Sequence, residues 1–182
     1  LGKTLQVLVM LLYEKENGNR KSSLIVVPTS LVFNWINEIK KFTPSLKIYV
    51  HYGQERLRDI SRISGENPDL IITSYATLRN DISILNKKEY YYIVLDESQQ
   101  IKNPLAKNTK SVYSLKSEYR LVLTGTPVEN SYIELWSQFA FLNPGMLGNM
   151  DYFKRNFMSI GKNKEDNVSS LKNIINPFLL MR

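Results

Sequence analysis

The chain has 182 residues, 43% of them hydrophobic, and 24 Lys+Arg against 17 Asp+Glu give it a net charge of +7. That length and apolar content suit one α/β domain with a real core and room for a small appendage, and exclude a disordered chain. Cysteine is absent, which excludes disulfides and thiolate metal sites, and no apolar run approaches the length of a membrane span. The only histidine, His51, excludes a multi-histidine metal centre and any Ser-His-Asp triad built on another histidine. It reads as a strand-end residue beside Gly53 with a structural role. The basic balance favours a polyanionic partner. Its charges are spread over Lys40, Lys41, Lys87, Lys88, Lys102, Lys107, Lys110, Lys116 and Arg120 and form no tail.

Apolar and turn signals alternate along the chain in a βα rhythm. Thr4 to Glu16 is helix-like and closed by Asn17-Gly18-Asn19. Ser23 to Val27 is a short strand ended by Pro28. Ser30 then caps a helix through about Phe42, with Leu31, Trp35, Ile39 and Phe42 on one face. Lys47 to Tyr52 alternates like a strand, Gln54 to Ile63 is helical, Leu70 to Thr73 is a strand and Tyr75 to Asp81 a short helix. Tyr91 to Leu95 is a buried strand, Lys107 to Lys116 a weaker helix and Tyr119 to Leu123 a further strand. Ile133 to Phe141 is an amphipathic helix stopped by Asn143-Pro144-Gly145. Beyond Gly148 come helical pieces separated by a polar loop, Gly161 to Asn167. Strands alternating with helices imply a three-layer α/β fold on a mainly parallel sheet, with the helical end as an appendage.

Two short motifs carry chemistry. The strand Tyr91 to Leu95 delivers adjacent carboxylates, Asp96 and Glu97, to its end, and ligands in open α/β sheets sit beyond the carboxyl ends of the strands. Such a pair can hold magnesium with one member and orient or deprotonate a water with the other; it is also what an ordinary solvated turn contains. At the start, Gly2-Lys3-Thr4 leading into a helix is the last third of a P-loop, whose full pattern is Gly, four residues, then Gly-Lys-Ser/Thr. Glycine lets amides approach phosphate, lysine supplies a mobile charge, a threonine hydroxyl can ligate magnesium, and the helix dipole faces the same anion. The first half of that loop is not in the chain, so Leu1 reads as the start of a fragment. Leu-Gly-Lys-Thr does not resemble a signal peptide.

Four further segments complete a pattern. They are Leu24 to Phe42 (Leu-Ile-Val-Val-Pro-Thr-Ser-Leu and onward), Leu70 to Leu78 (Leu-Ile-Ile-Thr-Ser-Tyr-Ala-Thr-Leu), Gln100-Ile101-Lys102-Asn103-Pro104, and Leu121 to Asn130. The last contains Thr124-Gly125-Thr126-Pro127 and is followed by Glu134-Leu135-Trp136 and Leu142-Asn143-Pro144-Gly145. In this order the set resembles the first RecA-like lobe of Swi/Snf-type helicase-like ATPases of superfamily two, over nearly the whole chain. Gln99 and Val128-Glu129-Asn130 look most like bacterial members, which implies a cytoplasmic, nucleoid-associated protein. One residue departs from the family: Ser98 stands where Ala or Gly is usual, and a small hydroxyl should tune the site without loss of function.

The resemblance implies ATP and magnesium as cofactors and assigns roles by position. Gly2, Lys3 and Thr4 bind the nucleotide, with Lys3 on the β- and γ-phosphates and Thr4 on magnesium. Asp96 holds magnesium through water and Glu97 activates the attacking water. Gln99 links the nucleotide to Thr124, Gly125 and Thr126, which couple ATP state to DNA. Pro28, Thr29 and Ser30, with Thr73, Ser74 and Tyr75, grip a DNA phosphate backbone. Against that, Ser30 can be simply a helix cap and Tyr75 a packing residue. Trp35, Trp136 and Phe139 lie on apolar helix faces and read as core. The charges from Lys102 to Lys116 either track phosphate or form a solvated face.

The expected division is a RecA-like lobe over 1–148 and a helical extension over 149–182 toward a second lobe. The expected activity is a DNA-dependent ATPase that translocates on double-stranded DNA with little sequence preference and remodels protein–DNA complexes. A second RecA-like lobe of the same polypeptide would complete it, so the isolated fragment is expected to be nearly inactive. A strand-separating helicase and a non-catalytic nucleic-acid-binding scaffold are the alternatives; the scaffold would be expected to have lost Lys3, Asp96 or Glu97.

Overall fold

A computed structural model describes residues 2–54, 56, 65, 67–125, 132–158 and 164–180, the stretch 164–168 as backbone only. Its centre is a five-stranded sheet built from β1 (Ser23–Val27), β2 (Ile48–His51), β3 (Leu70–Ser74), β4 (Glu89–Leu95) and β5 (Lys116–Val122). The strand order is β2-β3-β1-β4-β5 and every pairing is parallel. β1 and β3 are buried at every position, because a parallel sheet carries helices on both faces and has no solvated side.

Alternation along the strands divides the core into two layers. Leu24, Val26, Ile71, Ile93 and Leu95 face one side, where they meet Tyr75 and Leu78 of α3 (Tyr75–Asn80), Leu85 of α4 (Ile82–Leu85), Val112 of α5 (Lys107–Tyr113) and Phe141 of α6 (Tyr132–Leu142). Ile25, Val27, Leu70, Ile72 and Val94 face the other. There they pack on Val7, Leu8 and Leu11 of α1 (Lys3–Glu16) and on Val32, Trp35 and Ile39 of α2 (Val32–Phe42). A third cluster joins Leu135 and Phe139 of α6 to Phe153 of α7 (Met150–Phe157) and to Leu171 and Ile175 of α8 (Lys164–Ile175). The helical end thus packs on α6 through apolar side chains of its own. Among the described residues no helix is long and apolar enough to cross a membrane.

Several boundaries move. Residues 29–31 form a 3-10 turn, and α2 starts at Val32 behind Leu31, with no side-chain cap. Ser30 is therefore not the cap expected of it. Val32 takes an inward position and Phe42 turns out, 40% exposed, beneath the Lys41 amine. A further short helix, α4, follows Asp81. β5 begins at Lys116, three residues earlier than expected, because pairing with Glu89 at the start of β4 extends the ladder into charged positions. Lys164 to Asn167, expected as loop, are the first turn of α8. The expected helix Gln54 to Ile63 lies almost wholly outside the described residues, as do Thr126 to Asn130 and residues 161–163.

Candidate nucleotide-binding site

Parallel strands place all their carboxyl ends on one edge of the sheet, and the segments singled out from the sequence emerge there: Pro28 to Ser30 after β1, Ser74 and Tyr75 at the end of β3, Asp96 and Glu97 after β4, Leu123 to Gly125 after β5. Backbone hydrogen bonds weld the edge, Asp96 N donating to the Val26 carbonyl at 2.9 Å and Ser98 N to that of Leu123 at 3.0 Å. α1 starts at the same edge, since the Lys3 amine donates to the Thr124 carbonyl, 121 residues away. Gly2 precedes α1 with φ 89°, in the left-handed region where a Cβ is costly, and no acidic residue sits in the first helical turn to compete with an anion.

The acidic pair is tightly specified. Glu97 adopts φ 49° and ψ 60°, a left-handed conformation uncommon for a residue with a side chain. This corner separates the two carboxylates. Asp96 stays against the sheet, and Glu97 faces the loop after β5, where a Cβ at Gly125 would lie 3.8 Å from both Glu97 carboxylate oxygens. Gln99 Nε2 donates to Glu97 Oε2 at 2.6 Å, while Gln99 Oε1 is buried without a partner. The amide thus braces Glu97 and keeps an acceptor in reserve. Each Asp96 oxygen accepts one hydrogen bond, Oδ1 from the Glu97 backbone at 2.9 Å and Oδ2 from the Trp35 indole at 2.8 Å. Trp35 fills the core as expected, and its contact with Asp96 was not foreseen.

The two segments expected to contact DNA differ in exposure. Thr29 and Ser30 are exposed and Pro28 half-buried. Thr73, Ser74 and Tyr75 are turned inward. The Thr73 hydroxyl donates to the His51 carbonyl at 2.9 Å, Ser74 caps α3 by accepting from Thr77 N, and the Tyr75 hydroxyl donates to the Asp96 carbonyl at 2.8 Å. Burial, with the charges of Asp96 and Glu97 nearby, raises the Tyr75 phenol far above its usual range, so it stays a neutral donor. Packing and capping therefore describe these three side chains. Arg120 donates to the Phe141 and Leu115 carbonyls and is not a surface charge, whereas Lys102, Lys107, Lys110 and Lys116 are exposed.

His51 is fully buried, with Nε2 2.9 Å from Asp81 Oδ2, and Arg56 grips the same carboxylate through Nε and Nη2. Burial holds the imidazole below its ordinary value, with Asp81 opposing and Arg56 assisting. This cluster ties β2 to the end of α3 and is structural.

The residues present suit a magnesium–nucleotide complex. Magnesium keeps several waters and binds through one or two carboxylates plus substrate phosphates, so it needs no dedicated cage of protein ligands. Among the described residues no cluster of three or more His, Cys, Asp or Glu exists. Asp96 and Thr4 are both half-buried, and Asp96 retains lone pairs beyond the two hydrogen bonds it accepts.

A parallel α/β sheet with a Lys-Thr helix start and an Asp-Glu strand end on one edge defines a RecA-like, helicase-like ATPase lobe. Residues 1–182 match the SNF2-related domain, and the chain belongs to that family. It is 39% identical to the putative ATP-dependent helicase/translocase YwqA of Bacillus subtilis, covering 100% of this chain and 20% of that protein. It is 38% identical to the TATA-binding protein-associated factor MOT1 of Saccharomyces cerevisiae, covering 11% of it. The Sulfolobus solfataricus SWI2/SNF2 ATPase core in complex with dsDNA superposes with a TM-score of 0.90 at 44% identity, over all of this chain and 38% of that one. The chain thus spans a fifth or less of these two curated relatives.

Proposed function

We propose that this chain is the ATP-binding lobe of a DNA-dependent ATPase that translocates on duplex DNA and remodels protein–DNA complexes. The observation that carries the reading is the convergence of Lys3, Thr124, Gly125 and Glu97 on one edge of the sheet, beside Asp96.

Lys3 and the first amides of α1 bind the β- and γ-phosphates, with Gly2 allowing close approach. Thr4 and Asp96 would hold magnesium, which when bound would supply charge neutralisation at the phosphates. Glu97, held by Gln99, orients the attacking water and accepts its proton. Binding phosphate draws the Lys3 amine away from the Thr124 carbonyl, so nucleotide occupancy is felt at once by the segment from Thr124 to Thr126. The exposed Thr29 and Ser30 with the half-buried Pro28, together with the lysines after the acidic pair, contact the DNA backbone, which gives affinity without base readout. A second lobe of the same polypeptide supplies arginines to the transferring phosphoryl group, worth on the order of 10³ or more in rate. A bacterial cytoplasmic protein acting at the nucleoid fits this reading.

The test is ATP hydrolysis by the full-length protein with and without duplex DNA. Duplex should stimulate turnover, Glu97→Gln should abolish it with nucleotide binding retained, and Lys3→Ala should lose nucleotide affinity. Stimulation by RNA alone would overturn the duplex assignment, and unwinding of a tailed duplex would replace it with a strand-separating helicase.

A further inference from the structure

Trp35 sits in the second turn of α2, 2% exposed, packed among Val32, Ile39, Ile25 and Val94. Those neighbours are aliphatic and offer an indole N–H nothing. A buried indole N–H needs an acceptor, and here it reaches out of the core to Asp96 Oδ2, 61 residues on, at 2.8 Å. The Glu97 backbone N–H takes Oδ1 at 2.9 Å and the Tyr75 hydroxyl holds the Asp96 carbonyl at 2.8 Å. With a donor on each oxygen, both torsions of the Asp96 side chain are set before any ligand arrives.

The choice of donor matters chemically. A lysine or arginine here would pair with Asp96, cancel its charge and compete with a metal ion for its lone pairs. An indole has one donor, no acceptor and no titration in the accessible range. It orients the carboxylate and leaves its negative charge intact. Packing alone does not call for it, since phenylalanine would fill much of the same apolar space.

We propose that Trp35 is a positioning residue for magnesium–nucleotide binding: its indole N–H holds the Asp96 carboxylate in the orientation that magnesium requires. The proposal rests on the nucleotide-site reading above. Partners that orient metal-binding groups in this way typically cost 10- to 100-fold in metal affinity when removed.

The protein labelled with 15N-tryptophan tests it without relying on turnover. Trp35→Phe assigns the Trp35 indole signal by its loss. The Trp136 indole donates instead to the Gly148 carbonyl at 3.1 Å and serves as the internal control. Adding magnesium with ADP should move the Trp35 signal and leave that of Trp136, and Asp96→Asn should move it without ligand. In Trp35→Phe, half-saturation of nucleotide-dependent metal binding, read by manganese EPR, should need about 10-fold more metal, while metal-free ADP affinity stays unchanged. A wild-type metal requirement in a folded Trp35→Phe overturns the proposal, as does a Trp35 signal indifferent to Asp96→Asn. If the phenylalanine variant unfolds, Trp136→Phe assigns the two indole signals instead, and the response of the Trp35 signal to Asp96→Asn decides the matter. A wild-type protein that binds no magnesium–nucleotide at all overturns the underlying site reading, a separate outcome from failure of the Trp35 assignment.

Discussion

Replacing Glu97 with alanine and, separately, with glycine isolates the backbone strain at the centre of the site. Both variants lose the carboxylate and its 2.6 Å contact with Gln99, so those losses cancel in the comparison. What remains is a backbone at φ 49° and ψ 60°. The left-handed basin costs a residue with a Cβ about 1–2 kcal/mol. Glycine's wider freedom in the unfolded chain costs its variant about 0.5–1 kcal/mol. The balance favours glycine by about 0.5–1 kcal/mol, or about 1–4 °C in Tm for a chain of this size. The sign is the informative part, because at an ordinary right-handed position alanine would be the more stable of the two. Parallel urea and thermal unfolding of the two variants provides the measurement. An alanine variant equal to or more stable than the glycine variant would refute the strain argument. Neither variant should support DNA-stimulated hydrolysis, so the strain would be retained at the expense of stability to aim a carboxylate.

Two other expectations concern stability. The Ser98 hydroxyl is fully buried with no hydrogen-bond partner, so Ser98→Ala should raise stability by about 1 kcal/mol in urea unfolding; a loss of similar size would reveal a bonded hydroxyl. Burial lowers the His51 pKa in the folded state, so its contribution to stability is complete above the unfolded value of about 6.5 and is lost as pH falls toward the folded value. The urea midpoint of the wild type should therefore drop further between pH 7.5 and 5.5 than that of His51→Gln, and equal drops would remove His51 as the cause.

Much of the fold was legible in short stretches. The run Ser23 to Val27 became β1 residue for residue, because a strand buried on both faces shows as unbroken apolar sequence ended by proline. Boundaries set by neighbours were less legible. Lys116, Ser117 and Glu118 have no strand signal of their own and enter β5 because β4 lies alongside. The competing readings of Ser30 and Tyr75 separated in opposite directions. Ser30 stayed exposed and capped nothing, whereas Tyr75 was buried, and the cap fell to Ser74. A hydroxyl before a helix is compatible with either outcome until the chain's path over the sheet is known.

By itself the sequence determined the layered α/β architecture, the Lys-Thr start of the first helix, the acidic pair and the family, all of them carried by residues close together in the chain. Only the tertiary structure decided how these groups are aimed. Lys3 on the Thr124 carbonyl, Trp35 on Asp96 and Gly125 against Glu97 join residues from 28 to 121 positions apart. Periodicity reports which face of an element is apolar; it does not report which polar atom on that face meets which partner. That depends on strand order and register, and the order β2-β3-β1-β4-β5 is what brings α2 beneath the end of β4 and turns a core tryptophan into the holder of a carboxylate.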